Sequence, residues 1–200
     1  CRRGWRASAD MRRRGASFGV LARGPLPDGQ PVRQYGARVQ ALSRGVPVLK
    51  IKIYDAAGIS LSAGKKALVC GRLAKRLQAR QLQSFSEYFK LLKSGDAGEV
   101  QTAVDLLTTN ETYFFREPKH FELLRDLAQH HRSRGTPMRV WSAACSSGEE
   151  PYSIAMVLAD VLGDAAWEVL GTDISTRVLQ RARSGHYPME RASQMPQDYL

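Results

Sequence analysis

The fold class follows from residues 138–151, which read MRVWSAACSSGEEP. The first five residues predict a short β-strand, and the small residues at 143–148 are typical of a tight turn. A helix with an apolar face is predicted after this turn, and a second strand is predicted at 167–172, directly before Asp173. Strand, turn, helix and strand in this order form a βαβ unit, so we expect an α/β domain with a parallel sheet.

The turn and the acid after the second strand form a candidate nucleotide-binding site. Nucleotide cofactors bind outside the carboxyl ends of parallel strands, where an acid such as Asp173 can accept hydrogen bonds from two ribose hydroxyls. Gly148 is the only glycine of the turn, so GxGxxG and GxxxxGK[ST] are both absent and a phosphate cradle is poorly supported. Glu149 and Glu150 would repel a pyrophosphate and could attract a sulfonium, although acids at helix starts also serve simply as dipole partners.

Helices are predicted on both sides of this unit. Helical periodicity and capping residues place them at 65–82, 84–93, 96–107 and 117–134, and from the cap Ser175 to about residue 182. Two of them begin with capping patterns, Ser84-x-x-Glu87 and Asp96-x-x-Glu99. Residues 48–64 fit either a strand or a helix, and we favour a helix.

The helix predicted at 65–82 has an apolar side and a basic side. The apolar side comprises Leu68, Val69, Leu73 and Leu77, and the basic side comprises Lys65, Arg72, Lys75, Arg76 and Arg80. A basic helix face can attract an acidic partner and raise its encounter rate, but it can also be an ordinary solvated surface.

The net charge of +11 is unevenly distributed over the 200 residues. Residues 1–45 carry +8, residues 46–93 carry +8 and residues 94–200 carry −5. We expect residues 1–47, which are rich in Arg, Gly and Pro, to be a disordered tail or a mis-called upstream segment. A basic arm for nucleic acid is the alternative, although basic and aromatic residues are not interleaved and no helix-turn-helix or RNP pattern is present.

Composition excludes several protein classes. Hydrophobic residues make up 43% and charged residues 24%, which is typical of globular proteins rather than of wholly disordered chains or collagen. A membrane span needs about 20 consecutive apolar residues, and the sequence has no such run. The three cysteines are scattered without CxxC spacing, which argues against a disulfide framework and a zinc site. A reducing compartment, the cytoplasm, is therefore expected.

Two long motifs resemble the CheR family of chemotaxis-receptor glutamate methyltransferases. Residues 107–117, LTTNETYFFRE, are similar to that family's TNxTxFFR segment, and residues 139–155 are similar to its RVWSAACSSGEEPYSIA loop and helix. Residues 171–174 match the end of its second strand, and the basic front from Gly58 to Leu73 resembles its N-terminal helical domain. Residues 1–47 show no resemblance to the family.

The resemblance implies a Rossmann-like domain that uses S-adenosylmethionine as methyl donor and yields S-adenosylhomocysteine. It implies cofactor contacts by Asn110, Thr112, Arg116, Glu150 and Asp173, with Asp173 on the ribose and Arg116 near the reacting centre. We predict that Arg116 aligns the reactants, since a guanidinium is a poor base. The acceptor would be a glutamate on the cytoplasmic helical domain of a chemoreceptor, docked by Lys65, Arg72, Arg76 and Arg80. No metal, nucleic acid or membrane insertion is expected.

The predicted domains are a tail at 1–47, a helical receptor-docking domain at 48–106 and the first half of a methyltransferase domain at 107–200. The family's catalytic domain continues past its second strand, so we expect this chain to be an incomplete methyltransferase whose own activity is open. A non-catalytic module that binds cofactor or receptor is the first alternative, and a nucleic-acid-binding protein is the second.

Overall fold

The computed structural model describes residues 4–6, 17–20, 53–54, 58–60 and 62–200. The chain divides into two compact units, Gly24–Thr109 and Cys1–Arg23 with Asn110–Leu200, which we call the helical unit and the sheet unit. In chain order the elements are β1 (Gly4–Arg6), β2 (Ser17–Val20), α1 (Lys66–Ala79), α2 (Phe85–Lys93), α3 (Ala97–Leu107), α4 (Pro118–His131), β3 (Met138–Ala143), α5 (Glu149–Leu162), β4 (Trp167–Thr172), α6 (Thr176–Ser184) and β5 (His186–Pro188).

The helical unit is built around the apolar sides of α1, α2 and α3. Its buried core includes Val69, Leu73, Leu77, Phe85, Tyr88, Val104 and Leu107. The prediction for Leu68 is wrong, because this side chain is 40% exposed while its neighbour Val69 is fully buried. Of the helix favoured for 48–64, Ile53 and Tyr54 are helical and Ile53 joins the core. The prediction is wrong for residues 58–60 and 62, which belong to no helix, and residues 63–64 lie in a 3-10 helix. The other positions lie outside the described residues.

Both predicted capping side chains of the helical unit accept the expected backbone hydrogen bond. Ser84 Oγ accepts from the amide of Glu87 at 3.2 Å, and Asp96 Oδ1 accepts from the amide of Glu99 at 3.0 Å. Each bond satisfies one of the amides that a helix N-terminus leaves without an intrahelical partner. Short polar side chains therefore determine where α2 and α3 begin.

The predicted βαβ unit is confirmed in the sheet unit. β3 and β4 pair in parallel, with Met138 opposite Trp167 and Ala143 opposite Thr172. α5 connects them and buries its apolar side, which includes Ile154, against a core shared with α4. This parallel arrangement places the carboxyl ends of β3 and β4 side by side, at the edge where ligands bind in such sheets.

Two short strands lie in the segment where no regular structure is expected. β2 pairs in parallel with the free edge of β4 to give the sheet order β2-β4-β3, and β1 pairs antiparallel with β5. The structure differs from the prediction here because strand pairing is made by backbone groups, which a periodicity of apolar side chains does not report. The rest of the prediction for residues 1–47 lies outside the described residues.

The ends of α4 and α6 refine the predicted boundaries. α4 ends at His131 and continues as a 3-10 turn through Arg134, after which Gly135 adopts a left-handed φ of 65°. Ser175 is the N-cap of α6 by position, but its buried hydroxyl makes no capping bond. In the described part of the chain, no helix combines the length and apolarity that a bilayer span requires.

Candidate functional site

The turn after β3 is held in an unusual backbone conformation. Ala144, Ser146 and Gly148 all have positive φ, at 64°, 48° and 101°. The amide of Cys145 donates to the carbonyl of Thr172 at 2.8 Å, which ties the turn to the end of β4. Residues other than glycine rarely adopt positive φ, and such strain is common at ligand sites.

Gly148 is required by its surroundings as well as by its backbone. A Cβ at this position would lie 2.5 Å from the hydroxyl of Tyr187 and 2.9 Å from the backbone Cα of Ala182. The Tyr187 hydroxyl donates to the carbonyl of Ser147 at 2.7 Å, and burial raises the pKa of Tyr187 strongly, so the hydroxyl keeps its proton as a donor. Tyr187 therefore packs against the turn and donates a hydrogen bond to it, although it lies in neither sequence motif.

Asp173 connects the end of β4 to the turn. Its Oδ2 accepts from the amide of Ser146 and its Oδ1 accepts from the amide of Ser175, both at 2.8 Å. A carboxylate offers about four acceptor positions, so these two bonds leave others for a ligand. Asp173 is half-buried, which is compatible with an acid that is oriented by the backbone and accessible to a hydroxyl-bearing ligand.

The two adjacent glutamates at the start of α5 have different environments. Glu150 Oε1 accepts from the hydroxyl of Ser142 at 2.6 Å, and Glu150 is half-buried. Glu149 is only 1% exposed and accepts from the hydroxyl of Ser147 at 2.7 Å. Of the two acids considered for a cationic ligand, Glu150 is therefore the accessible one.

The predicted contacts Asn110 and Thr112 lie in a segment beside the turn. Ser146 Oγ donates to the carbonyl of Asn110 at 3.2 Å, and the amide of Ser146 is the one that Asp173 accepts. Arg191 Nη1 donates to the carbonyl of Thr112 at 3.1 Å. Ser146 thus brings Asn110 and Asp173, which are far apart in sequence, to the same turn.

Arg116 and Glu150 line one cavity of about 240 Å³. Its remaining walls are mainly apolar side chains from α4, β3 and α5, among them Phe121, Val140 and Ile154. The exposed Arg116 donates through Nη1 to the carbonyl of Glu111 at 3.0 Å, and its guanidinium lies 6.0 Å from the centre of the Tyr113 ring. Asn110, Thr112 and Asp173 do not line this cavity. The predicted site residues therefore form two groups, one around the turn and one in the cavity. Glu150 belongs to the cavity group and follows the turn closely in sequence.

Cys145 has a packing role in the turn. Its side chain is 1% exposed, and a Cβ added to Gly171 of β4 would lie 3.2 Å from its sulfur. Burial raises the pKa of Cys145 to about 12, so the thiol is protonated and unreactive near neutral pH. Among the residues that the structure describes, no group of three potential metal ligands is found.

The helical unit changes the interpretation of the basic side of α1. Arg76 binds both oxygens of Glu99, at 2.8 and 2.6 Å, and Arg80 Nη2 lies 2.6 Å from the same carboxylate. Glu99 is fully buried. Burial alone would raise the pKa of Glu99, but the hydrogen bonds from Arg76 and Arg80 outweigh it and hold the pKa below its ordinary value. We expected these arginines to form an open charged face. This is wrong for Arg76, because its guanidinium is paired with the buried Glu99 inside the unit.

Arg72 is also committed to the fold of its own unit. Its Nη1 donates to the carbonyls of Leu107 and Thr108, at 3.0 and 2.9 Å, and so caps the C-terminus of α3. A cation at this end also interacts favourably with the helix dipole. Lys65 and Lys75 are exposed. Receptor docking by Lys65, Arg72, Arg76 and Arg80 stays a prediction; of these four, Lys65 and Arg80 are exposed.

The sequence patterns did not identify the residues that hold the candidate cofactor contacts and the turn in place by hydrogen bonds. Ser142, Ser153, Tyr187 and Arg191 each bond to a motif residue or to the turn; the amide of Phe115, for example, donates to Ser153 Oγ at 3.0 Å. Ser142 and Ser153 lie inside a recognised motif, but Tyr187 and Arg191 are about 40 residues beyond the turn. No local pattern links such distant residues.

Two family models match the chain. The model described as "CheR methyltransferase, all-alpha domain" matches residues 48–108, and the one described as "CheR methyltransferase, SAM binding domain" matches residues 110–200. The second match includes all five predicted cofactor residues and supports S-adenosylmethionine as the cofactor.

Curated relatives agree with these matches. A chemotaxis protein methyltransferase 2 of Pseudomonas aeruginosa is 50% identical over 147 residues, which are 72% of this chain and 52% of the relative. A chemotaxis protein methyltransferase of Escherichia coli is 49% identical over 151 residues, 74% of this chain and 52% of the relative. One of Borreliella burgdorferi is 39% identical over 156 residues, 72% of this chain and 55% of the relative. The chain spans about half the length of these relatives, and it belongs to the CheR methyltransferase family.

Proposed function

We propose that the protein transfers a methyl group from S-adenosylmethionine to glutamate side chains of chemoreceptors and forms glutamate methyl esters. The observation that carries this proposal is the half-buried carboxylate of Asp173, held by two backbone amides at the edge of the sheet beside a strained turn. The family matches and the names of the relatives support the same reaction.

The residues of the site suit an adenosyl cofactor without phosphates. Asp173 has acceptor positions left for ribose hydroxyls. The turn at 143–148 has no lysine or arginine, and carboxylates follow it, so the site offers little to a pyrophosphate. Glu150 supplies a negative charge for the cationic end of the cofactor, which when bound provides a methyl group on a positively charged sulfur.

Arg116 is the residue that we propose aligns the acceptor. A glutamate side chain has a pKa of about 4.3, so it is already a carboxylate near neutral pH and needs no general base. The guanidinium of Arg116 can bind a carboxylate through two donors, and it lines the cavity together with Glu150. Alignment of the reactants can lower a barrier by up to about 7–11 kcal/mol.

The partner and the compartment are part of the proposal. An acidic receptor helix would meet the helical unit at its exposed lysines, such as Lys65 and Lys75, because Arg72 and Arg76 are used within the unit. We expect the double substitution Lys65→Glu and Lys75→Glu to lower receptor methylation several-fold while cofactor affinity stays unchanged; equal methylation rates would contradict docking. A cytoplasmic location is supported by the three cysteines, which are scattered along the chain without CxxC spacing.

The test of the proposed function is calorimetry with S-adenosylhomocysteine on the full-length protein. We expect the wild-type protein to bind, and Asp173→Asn to bind at least about tenfold more weakly, because hydrogen bonds to a charged group contribute about 1.5–3 kcal/mol each. Asp164→Asn is the matched control, since Asp164 is an exposed aspartate of the same unit. No binding by the wild-type protein, or equal affinity of the Asp173 variant, would refute the proposal.

A further inference from the structure

We propose that Arg191 is a positioning residue, which holds residues 110–116 against the cofactor turn by bridging the carbonyl of Thr112 and the buried carboxylate of Glu149. This inference rests on the proposed function, because it treats 110–116 as part of the cofactor site. Arg191 lies in a 3-10 helix, Met189–Gln194, outside both sequence motifs.

The segment that Arg191 contacts is held largely by hydrogen bonds from side chains. Residues 108–113 belong to no helix or strand. Three successive carbonyls, those of Asn110, Glu111 and Thr112, accept hydrogen bonds from the side chains of Ser146, Arg116 and Arg191. Since these bonds come from side chains rather than from a ladder, the shape of the segment depends on each donor being in place.

The ion pair with Glu149 anchors the side chain of Arg191. The carboxylate of Glu149 is 1% exposed at the start of α5 and accepts one hydrogen bond from Ser147 Oγ. Arg191 Nη1 lies 3.5 Å from Glu149 Oε1. A buried carboxylate without a cation would carry a large desolvation cost, so Glu149 favours the arginine in this position.

One nitrogen of Arg191 makes both contacts. Nη1 is 3.5 Å from Glu149 Oε1 and donates to the carbonyl of Thr112 at 3.1 Å. Glu149 follows the turn directly, and Thr112 is a predicted cofactor contact. The guanidinium is therefore a bridge between the two motifs, which sets the distance between the segment and the turn.

The location of Arg191 makes the idea testable. Its side chain is 46% exposed, so shortening or neutralising it opens no cavity in the core. Arg191→Met removes the charge and the Nη1 donor while it keeps much of the apolar length. Arg191→Lys keeps a charged donor, and Arg134→Met is a matched control at an exposed arginine of the same unit.

The first measurement is hydrogen exchange of the full-length protein without ligand. We expect Arg191→Met to speed exchange of the Phe115 amide, which donates to Ser153 Oγ, by about tenfold relative to wild type, since the loss of a charge-assisted hydrogen bond changes an equilibrium by about this factor. Arg191→Lys should restore most of the protection, and Arg134→Met should leave it unchanged. Exchange within α4 should be the same in all four proteins.

The second measurement separates positioning from a general loss of stability. In the methylation assay, we expect Arg191→Met to raise the KM for S-adenosylmethionine about tenfold with a smaller change in kcat, because the segment binds cofactor. A fall in kcat alone, or unchanged exchange of the Phe115 amide, would overturn the role of Arg191. Failure of the wild-type protein to bind S-adenosylhomocysteine would instead refute the proposed function, so the two failures have different readouts.

Discussion

Two carboxylates, Glu99 in the helical unit and Asp173 in the sheet unit, show two ways of using the same chemical group. Glu99 is fully buried and bound by the guanidinium groups of Arg76 and Arg80. Asp173 is half-buried and accepts from two backbone amides. The first arrangement satisfies a charge inside the fold, whereas the second orients a charge that still has acceptor positions for a ligand.

The difference shows that the donors around an acid indicate its role better than its place in a sequence pattern. Glu87 and Glu99 each stand three residues after a helix cap, at Ser84 and Asp96. Glu87 is exposed and accepts from the amide of Gln83 at 2.8 Å, as a local cap does. Glu99 instead points into the unit and binds α1, so the same spacing gives a surface cap in one helix and a buried ion cluster in the next.

The largest expected effect comes from breaking the backbone that orients Asp173. Gly148→Ala would force a left-handed φ of 101° on a residue with a side chain and place Cβ 2.5 Å from Tyr187 and 2.9 Å from Ala182. We expect the free energy of unfolding to fall by about 2–5 kcal/mol, with loss of S-adenosylhomocysteine binding. Chemical denaturation and calorimetry measure the two effects.

Gly135→Ala is the control for the Gly148 substitution. Gly135 has a φ of 65° and no atom within 4 Å of an added Cβ, so only the backbone cost of about 1–2 kcal/mol is expected. If both variants lost the same free energy of unfolding, the close packing of Tyr187 against the turn would be contradicted.

The next effect concerns the acid that is held by side chains. Glu99→Gln removes the charge that Arg76 and Arg80 share, and we expect the free energy of unfolding to fall by about 2–4 kcal/mol; both arginines reach solvent, which limits the loss. Glu87→Gln is the matched control, for which a surface position predicts a change of at most about 0.5 kcal/mol. Denaturation curves that lose stability equally for both would refute the contrast between the two glutamates.

The smallest expected effect is the pH dependence of the stability difference between the wild-type protein and Glu99→Gln. The pKa of folded Glu99 is held below its ordinary value of 4.5, so its contribution to stability is present above that value and is lost as pH falls through the folded pKa. The difference in unfolding free energy between wild type and Glu99→Gln should therefore be largest near neutral pH and shrink below about pH 4.5. A difference that stays constant from pH 7 to pH 3 would show that Glu99 acts by shape rather than by charge.

Much of the fold and part of the site could be predicted from the sequence. Short-range patterns predicted the βαβ unit at 138–173, the caps Ser84 and Asp96, and the position of Asp173 at the end of a strand. The burial of Glu149 next to the accessible Glu150 could not be predicted, since neighbouring residues of one type differ only in the direction that the helix gives them. The supports Tyr187 and Arg191 could not be predicted either, because they reach the turn from a distant part of the chain.

The sequence by itself determined the order of α1 to α6 with β3 and β4, the α/β class of the sheet unit and the family, because spacing and motifs are local properties of the chain; the pairing of β1, β2 and β5 was not predicted. Only the tertiary structure decided which charges remain available for other molecules. It showed that Arg72 and Arg76 are used within the helical unit, while Asp173 and Glu150 retain access. The physical reason is that desolvation and ion pairing depend on groups brought together by folding, and those groups are remote in the sequence.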